Sequence, residues 1–174
     1  MIRALEELSM NAWPALQTQL RDGWVLRFAN GYTRRANSIN PLYPSSQASD
    51  SPAGKPLATA TEPIGEKIAS CEEIYRARKL RVVFKMTRAV FPEDLDEILA
   101  RRGYQAEAET SVQVLDLRAA LPPTHWDVLA RATLTDEWVA HYCRLNAVAE
   151  AHHATMWEML GNITPAHCFL ELRD

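Results

Sequence analysis

Glycine is scarce in this chain, and its spacing excludes more than its number does. There are six glycines, at positions 23, 31, 54, 65, 103 and 161, and no two stand two residues apart. A dinucleotide-binding G-x-G-x-x-G turn and a P-loop both need glycines at fixed short spacing, so neither motif is present. Cysteine is scarcer still. Cys71, Cys143 and Cys168 are odd in number, widely separated and free of any C-x-x-C. That argues against a disulfide framework and a zinc cage, and for a reducing, cytoplasmic setting. No stretch approaches the roughly 18 apolar residues a membrane span needs. A basic excess is missing too. The net charge is -3, so no global field recruits nucleic acid or an anionic membrane, and any anion site must be local.

What is present is an ordinary globular composition, 47% hydrophobic and 24% charged over 174 residues. That length allows one domain, or one domain and part of another. The N-terminus carries Glu6 and Glu7 inside an apolar pattern, which predicts an amphipathic helix over 2–10 rather than a signal peptide. Leu5, Leu8 and Ala12 share one face. Pro14 either kinks this helix or opens a second one at 15–20. Residues 44–63, rich in Pro, Ser, Ala and Thr, predict a long mobile loop. Ile64, Ile68, Cys71 and Tyr75 recur at helical spacing and predict a helix over 64–79. A strand is expected at 80–86, a helix after Pro92 ending at Gly103, and a long strand from Tyr104 to Leu117, where side chains alternate.

Leu121-Pro122-Pro123 marks a boundary. Beyond it, Val128 and Leu129 begin a strand, and Thr135 caps a helix whose first turn holds Asp136 and Glu137. A further helix covers about 149–161, with His153, Met156, Trp157 and Leu160 on one face, and 166–172 reads as a strand with an open edge. Adjacent His152 and His153 point about 100° apart on a helix and do not make a metal pair. Cys71 and Cys168 read as small core residues.

The stretch GWVLRFANGYTRRANSIN, residues 23–40, looks like a hairpin turning at Asn30-Gly31. Trp24, Leu26 and Phe28 would then pack on a helix, and Arg27 would sit opposite Arg34. Like charges across a sheet repel. Two readings relieve them: a protein carboxylate such as Glu72 or Glu73, or an anionic ligand gripped by the guanidinium forks.

Several stretches resemble a known family. NAWPALQ at 11–17, GWVLRFANGYTRRANSINPLYP at 23–44, CEEIYRARKLRVVFKM at 71–86 and PEDLDEILARRGY at 92–104 are similar to the N-terminal part of bacterial GNAT-family N-acetyltransferases. Residues 124–174 resemble the opening helices and first central strand of a second GNAT core. The resemblance implies an α/β (α+β) fold, a mixed sheet flanked by helices, with a GNAT-like unit at 1–117 and a partial one at 124–174. It implies acetyl-CoA as co-substrate and acetyl transfer to the amine of a small molecule or peptide. It places Arg27, Arg34 and Trp157 in the acceptor or anion-binding cleft. The family's pyrophosphate loop, R/Q-x-x-G-x-G/A, has no counterpart here, and is expected after Asp174. The alternative is a non-catalytic GNAT-like module for binding or for homodimer formation.

Overall fold

The computed structural model describes residues 1–45, 62–116, 128–163 and 169–172, and these form a mixed α/β fold. The elements run α1 (Ile2–Ala12), β1 (Gln17–Arg21), β2 (Trp24–Phe28), β3 (Ile39–Asn40), α2 (Ile64–Ala77), α3 (Leu95–Arg101), β4 (Val128–Arg131), α4 (Asp136–Leu145), α5 (His153–Gly161) and β5 (Phe169–Leu172). β2 is the centre of an antiparallel sheet, with β1 and β3 on either side. β4 and β5 pair antiparallel in a second sheet, so the expected final strand does have a partner. Most of the Ser/Pro-rich loop, the Leu121-Pro122-Pro123 boundary and Cys168 lie outside the described residues.

The main core follows from two periodicities meeting. β2 turns Trp24, Leu26 and Phe28 to one face, and α2 turns Ile68, Cys71 and Tyr75 towards them; Leu95 and Leu99 of α3 complete the cluster. Each such side chain contributes roughly 1.5–3 kcal/mol on burial. The other face of β2 is also buried. Tyr75 ties helix to strand, exchanging hydrogen bonds with the Arg27 backbone at 2.9 and 3.1 Å.

Five expectations are corrected. The hairpin turns at Asp22-Gly23, where φ is +42° and +82°, and pairs Arg21 with Trp24. Once β1 and β3 hold both edges of β2, residues 32–35 have no edge left to pair with. Arg27 therefore faces Thr18 across β1, and its amide donates to Ser38 O at 3.1 Å on the other side. Second, 15–20 is not a helix, because Gln17–Arg21 is needed as β1. Third, Leu8 is exposed and Glu6 is the buried residue of α1, ion-paired with Lys85. A buried carboxylate is tolerated there because it has a cation to meet. Fourth, residues 105–116 are exposed and form no strand, and Ala108 within them takes φ of +55°. Alternation supplies two faces, but a strand also needs a backbone partner, and no described strand or bridge pairs with this segment. Fifth, the strand expected at 80–86 is reduced to one parallel bridge, Ile39 to Phe84.

Residues 136–161 pack through a different face from the one expected: Trp157 is exposed, and Thr155, Met156, Met159 and Leu160 are the buried residues of α5. Thr135 caps α4, accepting from Trp138 N at 3.2 Å. Val139 and Cys143 of α4 meet Met156 and Leu160 of α5. Residues Glu150–His152 form one 3-10 turn before α5. Met159 then packs on Ala29 and Ala36, beside Trp13, Leu16 and Tyr32.

Candidate functional site

The segment between β2 and β3 is the most elaborately held part of the described chain. Asn30 and Gly31 take φ of +49° and +76°, and Tyr32 N closes the turn onto Ala29 O at 2.8 Å. Asn37 reaches back from the end of the loop. Its Oδ1 accepts from Ala29 N (2.8 Å) and Gly31 N (3.1 Å), and its Nδ2 donates to Tyr32 O (2.9 Å) and Thr33 O (2.8 Å). All four hydrogen-bonding positions of that amide are used inside the loop. Thr33 sits at φ +57°, an outlier for a β-branched residue, held by Trp13 Nε1 donating to its Oγ1 at 3.0 Å. Such strain costs of order 1–3 kcal/mol and collects at sites where a loop must present side chains in one arrangement.

Arg27 braces this loop from beneath. It is only 2% exposed, and its guanidinium donates to Arg35 O (2.8 Å), Met10 O (3.3 Å) and Trp13 O. Met10 O lies in the last turn of α1, where carbonyls lack helical partners and the helix dipole is negative, so a cation is well placed. Burial lowers the Arg27 pKa to about 10, which still leaves it charged at neutral pH.

Arg34 points the other way. It is half-exposed and donates to Glu107 Oε1 at 2.8 Å; Arg81 reaches the same oxygen at 2.9 Å. Hydrogen bonds from Arg81 and Arg34 hold the Glu107 carboxyl below its ordinary range. Arg27 and Arg34 thus lie on opposite sides of the loop and do not share a site. Glu72 and Glu73 are not the partners of these arginines. Glu72 accepts from Arg76 (2.7 Å) and Tyr104 (3.0 Å), with Arg102 at 3.6 Å, beside a shallow depression of about 410 Å³. Burial pushes its carboxyl up, but these donors outweigh that and leave it lowered. Trp157 is 37% exposed on the outer side of α5, whose buried residues are Thr155, Met156, Met159 and Leu160.

The inner side of the loop forms a seam with α5. Asn30 Nδ2 donates to Thr155 Oγ1 at 3.1 Å. The Tyr32 ring packs between Trp13 (6.1 Å) and His152 (5.4 Å), and Trp138 stacks on Tyr142 nearby. Burial, then Tyr142, pushes the Tyr32 phenol up to about 12. Burial also pushes the Cys71 thiol up to about 11 and raises that of Cys143, so neither is a ready thiolate nucleophile. His153 Nε2 donates to Val148 O at 3.1 Å. Among the described residues no cluster of His, Cys, Asp and Glu could hold a metal ion.

Sequence reasoning missed Tyr32, Asn37 and Glu107. The density of turn-forming residues in A-N-G-Y-T-R-R-A-N was a visible signal for the first two. Glu107 lies 73 residues from Arg34, and no local pattern links them.

Residues 1–164 match the family model described as "Probable histone acetyltransferase Rv0428c C-terminal". The chain is 24% identical over 179 residues to the "Uncharacterized N-acetyltransferase YobR" of Bacillus subtilis (strain 168), an alignment that covers 99% of this chain. It spans 64% of the length of that curated relative. No solved structure matches it. The family match takes in the braced loop, its arginines and the helix that docks on it, and the chain belongs to this acetyltransferase family, represented by the C-terminal part of the probable histone acetyltransferase Rv0428c.

Proposed function

We propose that this chain works in an acetyl-CoA-dependent N-acetyltransferase of GNAT type and contributes the side that receives the acceptor amine. The carrying observation is the family match over residues 1–164, which spans both the braced loop and α5. The N-acetyltransferase relative from Bacillus subtilis supports the same reading. In this reading residues 1–117 form one GNAT-like unit and 124–174 part of a second, with the acceptor approaching where they meet. Arg34 and Trp157 are exposed and available to a substrate, and Arg27 holds the loop that carries Arg34.

The reaction is direct transfer. The neutral amine attacks the thioester carbonyl, the N–C bond forms and the C–S bond breaks. Coenzyme A leaves as its thiolate and takes up the proton the amine gives away. The raised thiols of Cys71 and Cys143 favour this over a cysteine-bound intermediate. The chain has no pair of glycines two residues apart, so its residues do not build a glycine loop for the pyrophosphate. That same feature favours a second reading, a GNAT-like module that binds without catalysis.

Calorimetry with acetyl-CoA, followed by a thiol-release assay across a panel of amines, separates the two. Micromolar binding with turnover is the expected result for the enzyme. Binding of neither acetyl-CoA nor any of the amines would leave the module reading in its place.

A further inference from the structure

Two strained turns bring arginines to one spot on the surface. The loop at Asn30–Thr33 carries Arg34 outward, and the turn at Lys79, with φ +57°, precedes Arg81. The turns are neighbours: a Cβ on Gly31 would lie 3.7 Å from the Leu80 side chain. Arg78, in the same turn, lies over the Phe28 ring at 4.3 Å. Both guanidinium groups converge on a single oxygen, Glu107 Oε1, at 2.8 and 2.9 Å. Charge is unbalanced there, since two cations meet one carboxylate. The carboxylate itself belongs to a segment, 105–116, that is exposed throughout and has neither helix nor strand. Exposed ion pairs of this kind are weak and readily exchanged, whereas the loop beneath Arg34 is fixed by Asn37 and Arg27.

We infer that Arg34 and Arg81 form a binding site for a phosphate group on a ligand, and that Glu107 occupies it as an internal substitute which the ligand displaces. A phosphate dianion matches the two guanidinium charges, and its oxygens can engage both forks at once. The site stands on this geometry alone. Its role, to orient a phosphorylated acceptor amine or to meet a phosphate of the acyl donor, rests on the transferase reading above.

Titration of inorganic phosphate into the full chain at constant ionic strength tests it without requiring acetyl transfer. Arg34→Gln and Arg81→Gln should each weaken phosphate binding at least about tenfold, the loss of a charge-assisted hydrogen bond. Glu107→Gln should tighten it roughly two- to fivefold by removing the competitor. All three positions are solvent-exposed, and circular dichroism checks that the variants fold. Equal phosphate binding by the parent and Arg34→Gln, or no tightening in Glu107→Gln, overturns the inference. O-phosphoethanolamine against ethanolamine, and coenzyme A against dephospho-coenzyme A, then show which substrate brings the phosphate. Absence of acetyl transfer by the parent chain, with phosphate binding intact, would count against the transferase reading and not against the site.

Discussion

Asp22-Gly23 and Asn30-Gly31 stand eight residues apart and adopt the same backbone form, with both residues of each pair at positive φ. One closes a five-pair hairpin directly; the other opens the loop 29–38, after which β3 returns to pair with β2 only at Ile39 and Asn40. The dipeptide dictates the reversal because only Gly, with Asn or Asp, takes these angles cheaply. Whether a ladder follows depends on which backbone edges are still free. At Asp22-Gly23 the edge of β2 was open to β1. After Asn30-Gly31 the second edge of β2 goes to β3 at 39–40 rather than to residues 32–35, and the Asn37 side chain supplies the acceptor for Ala29 N and Gly31 N.

The sharpest way to break this comparison is to substitute both glycines. Gly23→Ala should cost most, about 3–5 kcal/mol, because the added Cβ would clash with the backbone oxygens of Tyr43 and Pro44 besides the φ of +82°. Urea unfolding measures it, and a cost near that of Gly31→Ala would show that the two turns are equally constrained. Asn37→Ala should come next, at about 2–3 kcal/mol, since it strips four hydrogen bonds from the second turn and leaves the buried Ala29 amide without this acceptor. The first turn should be untouched, which amide exchange at Asp22 and Gly23 can verify. Gly31→Ala should cost only about 1 kcal/mol, from the φ of +76° alone, because the nearest atom is a flexible Leu80 methyl at 3.7 Å.

The smallest effect concerns pH. The folded-state pKa of Tyr32 is raised from 10.0 to about 12, so its contribution is fully present below pH 10 and lost as pH climbs through 12. Alkaline unfolding followed by tyrosinate absorbance should therefore begin later in Tyr32→Phe than in the parent, once corrected for the lost ring contacts. Identical onsets would mean that the seam between loop and α5 does not sense this phenol.

Legibility in the sequence followed the range of the interactions. α2 was readable because Ile68, Cys71 and Tyr75 are local neighbours on a helix face, and all three are fully buried. Thr135 was readable as a cap because it acts three residues away. The burial of Glu6 was not, because Lys85 lies 79 residues on. Arg34 was readable as a candidate for an anion, but its two companions, Arg81 and Glu107, come from elsewhere in the chain.

By itself the sequence determined the helices, the two reversals and the absence of a glycine-rich phosphate loop, all properties of dihedral preference and spacing within a few residues. Only the tertiary structure decided which reversal became a tight hairpin and which a long loop, that Arg27 braces α1 while Arg34 faces solvent, and that α5 docks on the loop. Those outcomes depend on competition for backbone edges and on where a buried charge finds its partners. Both are settled by residues far apart in the chain, once it has closed on its core.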